Sequence, residues 1–154
     1  AKFLHRKTWE WYFTFAVVRN PIDRLLSSYF FHTSPEYQGG RLRQFPNMHS
    51  FSLEEYFYQL SETTALRPQV LYLKHDFSEK PIDYMCRFEN LKNDLGQLLE
   101  KFDLPNTIPH ENASKKYSVE IGEPLKRDMY EYYKKDFETL GYDFEASIEK
   151  YCAH

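Results

Sequence analysis

The stretch Phe15–Tyr29 reads FAVVRNPIDRLLSSY, preceded by Tyr12-Phe13-Thr14. Tyr12 to Val18 is aromatic and β-branched with no breaker, which predicts a buried strand. Arg19-Asn20-Pro21 ends it. Asn20 is a good helix cap and Pro21 suits a first helical position. Leu25, Leu26, Tyr29 and Phe30 then recur at helical spacing, so a helix is predicted from Pro21 to about His32. A strand running through a short turn into a helix is half of a βαβ unit.

That junction carries the chemistry. Arg19 falls at the carboxyl end of the strand, where α/β folds bind ligands. A helix start offers free N–H groups and a positive dipole end to an anion. Arg24 and Ser27 are three residues apart and share a helix face with Asn20. Arg19 brings a planar fork for phosphate oxygens and Ser27 a short hydroxyl donor. The residues alone leave two readings open: a phosphate site, or a surface arginine pair with Arg24 bonded to Asp23 or to a loop carbonyl.

Outward from the junction, strands continue to alternate with helices. Thr33 to Ser50, with Pro35, Gly39, Gly40 and Pro46, reads as a long loop of the kind that carries specificity. Ser52 and Glu55 form a capping-box pattern before a helix to about Leu60. Gln69–Leu73 (QVLYL) and Ile82–Phe88 (IDYMCRF) read as strands, and Glu89–Phe102 as a helix with Leu91, Leu95, Leu98 and Leu99 on one face. Pro105 to Tyr117 reads as irregular. Glu123–Leu140 reads as a helix turning Leu125, Met129, Tyr132 and Tyr133 inward, closed by Gly141, and a last helix is expected from Phe144 to Tyr151. The expected fold class is α/β: three layers, a central, mainly parallel sheet flanked by helices.

Composition bounds the function classes. The chain has 154 residues, which predicts a single domain over 1–154 with a sizeable core. Its 13 Tyr and 13 Phe predict many rings at the boundary between core and water. The net charge of −3 argues against nucleic acid as partner. Between Ala1 and Phe45, however, seven Lys/Arg face three Asp/Glu, a basic region suited to a small anion. No apolar run approaches the roughly 18 residues of a membrane span. The charged start, Ala1 to Glu10, is no signal peptide. Two cysteines, Cys86 and Cys152, read as free thiols, which favours the cytoplasm; the Golgi lumen fits if an N-terminal anchor precedes Ala1. His32, at the end of the first helix, reads as a cation complementing the dipole.

The pattern R-N-P-x-x-R-x-x-S-x-Y over Arg19–Tyr29 resembles the 3′-phosphate-binding motif of PAPS-dependent carbohydrate sulfotransferases of the membrane-bound and bacterial type. Arg67-Pro68-Gln69, Arg87-Phe88-Glu89-Asn90-Leu91, Pro109-His110-Glu111-Asn112-Ala113-Ser114 and Leu140-Gly141-Tyr142 follow the family's order. The resemblance implies a P-loop-kinase-like fold and PAPS as sulfonate donor, with PAP as product and a carbohydrate acceptor. It places Arg19 and Ser27 on the 3′-phosphate and Arg24 behind them as a support. It also brings Ser114 or Lys115, in the irregular stretch, near the nucleotide. Arg87 and Glu89 read as structural partners.

One departure stands out. None of Gly39, Gly40, Gly96, Gly122 and Gly141 follows an apolar strand with Lys and Ser/Thr behind it, so the family's 5′-phosphosulfate loop is not present. The expectation is a chain that starts past the first βα unit. His5 lies too close to the first strand to match the family's upstream base. On its own this stretch is expected to transfer no sulfonate, and a non-catalytic nucleotide- or anion-binding module stands as the alternative.

Overall fold

The computed structural model describes residues 6–74, 79–107 and 119–151. In chain order they form α1 (Arg6–Trp11), β1 (Phe15–Val18), α2 (Pro21–Thr33), α3 (Leu53–Leu60), β2 (Tyr84–Arg87), α4 (Leu91–Lys101), α5 (Glu123–Leu140) and α6 (Phe144–Glu149). Short 3-10 turns lie at Gly40–Arg43, Met48–Ser50, Gln69–Tyr72 and Phe88–Asn90. The described residues fall into two compact units. One holds the described residues up to Asn20 and from Gln69 to 107, the other Pro21–Pro68 and the residues from 119 onward.

The first unit is α/β. β1 and β2 pair in parallel, with Phe15 opposite Tyr84 and Val18 opposite Arg87, and α4 packs against β2. Parallel pairing requires a long crossover, and here the connection includes all of Pro21–Pro68. Asp83 anchors the entry to the pair by accepting from the Thr14 N–H at 2.7 Å and from Lys80 at 2.7 Å. Those bonds, Lys80 first, hold its carboxyl down at about 2. Lys80 also donates to the Tyr12 carbonyl, and its own carbonyl accepts from the Trp9 indole, which ties α1 to the sheet.

Two strand expectations change. The strand predicted from Tyr12 is only Phe15–Val18, and it is not buried throughout: Phe15 is 51% and Val17 45% exposed, while Val18 and, on β2, Cys86 are buried. Among the described residues β1 has one neighbouring strand, and a two-stranded pair covers only part of each strand's surface. Gln69–Leu73 is not a strand; Gln69–Tyr72 is a 3-10 turn, with Leu71 and Tyr72 exposed. A short apolar run does not distinguish strand from turn by periodicity.

The second unit is helical around one core. α2 packs against α3, α5 and α6. Ile22, Leu25 and Leu26 of α2 join Tyr56, Phe57 and Leu60 of α3, and Leu125, Met129, Tyr133 and Phe137 of α5. The caps follow the local chemistry. Ser52 and Glu55 make a reciprocal capping box. Gly141 ends α5 at φ 67°, the left-handed region that suits glycine. Asp143 caps α6, which ends at Glu149, by accepting from the Ala146 N–H. The long loop is pinned rather than free: Met48 is wholly buried in the core, and Tyr29 donates to the Phe51 carbonyl at 3.1 Å.

Candidate functional site

Within the first unit, the end of β1 is held by side chains from remote segments. Arg19 is the residue after the last ladder pair. Its N–H donates to Gln69 Oε1 at 2.9 Å, and its carbonyl accepts from Gln69 Nε2 at 2.7 Å. The next N–H, of Asn20, donates to Glu89 Oε1 at 2.7 Å. The Arg19 guanidinium stacks 4.4 Å from the centre of the Phe88 ring, a cation–π contact that also fixes its plane. The Arg19 Nε–H is buried and has no hydrogen-bond partner among the described residues. A buried donor left unmatched is costly, so each one in a folded protein calls for a cause, such as strain or a bound water or ion.

Within the second unit, Arg24 and Ser27 lie on α2, both half-buried. Arg24 donates through Nη2 to the Arg67 carbonyl, the loop-carbonyl arrangement. Its charge also acts on Tyr133, whose hydroxyl is raised well above the ordinary tyrosine range, by burial above all. Tyr133 in turn donates to the Leu66 carbonyl at 2.8 Å. Arg24 thus braces α2, α5 and the chain at 66–67 together, yet its Nε–H too is buried and unmatched. The Ser27 hydroxyl makes no hydrogen bond among the described residues. At the start of α2, Asp23 is buried and takes Lys150 and Tyr151 as partners, so the first turn already carries a neutralised acid.

His32 differs from its expected role. It is buried, not a solvent-facing cation: its Nδ1 lies 2.6 Å from the Tyr56 hydroxyl, which also bonds Ser28 at 2.8 Å. Burial first, and then Arg41, hold its pKa below 6.5, so the neutral ring is favoured at this helix end. Burial pushes Tyr56 up to about 12. Glu89 holds the Asn20 backbone, and the Arg87 N–H is held by Asp94 at 2.7 Å. Ser114 and Lys115, with His5, His110, Asn112 and Cys152, lie outside the described residues. Sequence reasoning gave Gln69 no role beyond its place in the Arg67-Pro68-Gln69 segment, where it is a polar amide opening an otherwise apolar run.

No helix among the described residues is long and apolar enough to cross a membrane. Searches of curated proteins and of solved structures found no match. The Sulfotransferase family matches residues 2–143, nearly the whole chain, and so takes in both the arginine after β1 and the Arg24–Ser27 face of α2. With an unmatched arginine donor held at the end of a parallel strand and a match of that extent, this chain belongs to the sulfotransferase family.

Proposed function

We propose that the chain is a sulfotransferase that moves a sulfonate from PAPS to a hydroxyl of a carbohydrate. The observation that carries the donor assignment is the buried, unpartnered Nε–H of Arg19, in a segment with the R-N-P-x-x-R-x-x-S-x-Y pattern. The residues fit the group. A 3′-phosphate is an acceptor-only dianion, and Arg19 presents donors with its ring-stacked face fixed. When bound, PAPS supplies the sulfonate and leaves as PAP.

The chain's own residues then have separable tasks. Arg19 donates to the 3′-phosphate; Ser27 is assigned to that phosphate by the resemblance alone. Arg24 serves as a brace, since its Nη2 is engaged with Arg67 and its neighbour is Tyr133. Ser114 and Lys115 are assigned to the same nucleotide by resemblance alone. These groups position the donor rather than break its bond. The loop from Thr33 to Ser50, with Arg41 and Arg43, is assigned to the sugar. The same reading makes β1 and β2 two strands of a larger, mainly parallel sheet flanked by helices.

Calorimetry with 3′,5′-ADP and 5′-AMP tests the donor assignment. A charge-assisted hydrogen bond contributes about 1.5–3 kcal/mol, so 3′,5′-ADP is expected to bind about tenfold or more tightly. Arg19→Ala abolishes that preference, and Arg19→Lys restores little because a point charge lacks the fork. Equal affinity for the two nucleotides overturns the assignment. A labelled-sulfonate assay of the intact protein with mixed glycan acceptors tests transfer; nucleotide binding without turnover would make it a binding module.

A further inference from the structure

The β1–β2 ladder stops at Val18 opposite Arg87, so the polar backbone of Arg19 lies one residue past the last strand pair. A residue paired in a sheet both donates its N–H and accepts at its carbonyl. Arg19 does both, but its partner is a side chain: Gln69 Oε1 takes the N–H at 2.9 Å and Gln69 Nε2 gives to the carbonyl at 2.7 Å. A primary amide is the side-chain group that offers an acceptor and a donor in one plane, as a peptide does. Gln69 is 7% exposed, so water is poorly placed to take over those bonds. Glu89 continues the hold on Asn20, and Phe88 holds the guanidinium. Backbone and head of Arg19 are therefore both fixed, while its Nε–H stays buried and unmatched.

We propose that Gln69 is a positioning residue for Arg19. Its amide adds one rung to the sheet beyond β1, and this rung sets the direction in which Arg19 leaves the strand and hence its selectivity for a 3′-phosphate. The 3-10 turn at Gln69–Tyr72 has a purpose in these terms: a strand there would send alternate side chains to opposite faces, whereas the turn presents one amide to one residue. The proposal rests on the nucleotide reading above. It predicts a specific intolerance. Gln69→Glu would keep an acceptor for the Arg19 N–H but set a carboxylate oxygen against the Arg19 carbonyl, and Gln69→Leu would supply neither partner.

The test uses the full chain and two probes, adenosine 3′,5′-bisphosphate and 5′-AMP, titrated into wild type and Gln69→Leu. In wild type the bisphosphate is preferred about tenfold or more; in Gln69→Leu the preference should fall to about twofold or less with 5′-AMP affinity unchanged. A purely structural loss would weaken both nucleotides together, and that outcome overturns the proposal, as does a preference retained in the variant. Wild type without any preference removes the nucleotide reading itself, which separates the two failures. Amide exchange in wild type needs no variant and guards against misfolding. The Arg19 N–H should be protected as strongly as the ladder amides of β1, and fast exchange at Arg19 overturns the proposal independently.

Discussion

Tyr133→Phe removes one oxygen from the centre of the helical unit and changes almost no volume. The side chain is wholly buried, and its hydroxyl donates to the Leu66 carbonyl at 2.8 Å. No cavity term of consequence arises, so the cost is polar. Leaving a buried carbonyl without its donor costs about 1–3 kcal/mol, and that is the expected loss. For a chain of this length that lowers the melting midpoint by roughly 2–12 °C. Tyr58→Phe is the internal control: its hydroxyl bonds Asp128 at the surface, and its removal should leave the midpoint within error of wild type. Calorimetric or dichroism melts of both variants decide the matter. Equal midpoints would refute the idea that Tyr133 holds the chain at Leu66 through a desolvated hydrogen bond.

Two further outcomes are expected. His32 is held neutral by burial, so its folded pKa lies below the unfolded value of 6.5; the unfolded chain then binds more protons, and stability should be full above about pH 6.5 and decline below it. Urea midpoints from pH 8 to pH 5 should show this decline flattened in His32→Gln; parallel curves would exclude His32, with its neighbours Tyr56, Ser28, Tyr37 and Arg41, as the source. Ser52→Ala should lower the urea midpoint by an amount equivalent to about 1 kcal/mol through loss of the α3 cap, whereas an unchanged midpoint would show that the capping box contributes nothing in this context.

The local structure around the candidate residues was legible in part. Arg19, Arg24 and Ser27 could be singled out because a strand end, a proline-led helix and the helical repeat of Leu25, Leu26 and Tyr29 are all written within a few consecutive residues. What surrounds Arg19 was not. Gln69 is 50 positions away and Glu89 lies 69 from Asn20, and no local pattern says that a glutamine will pair with a backbone so remote. His32 shows the same limit. Its place in the last turn suggested a cation at the helix end, but Tyr56, 24 residues on, buries it and favours the neutral ring.

The sequence by itself determined the elements whose causes are nearest-neighbour effects: the capping box at Ser52, the full span of α5 with Gly141 behind it, the start of α2 at Pro21, and membership of the sulfotransferase family. Only the tertiary structure decided that QVLYL is a turn, that β1 is half exposed, and that Arg24 is a brace between α5 and the Arg67 carbonyl. The physical reason is the range of the interactions. Caps and periodicity are satisfied within a turn or two of the chain, whereas burial and the pairing of a side-chain amide with a distant peptide are settled only when segments far apart in sequence compete for the same polar groups.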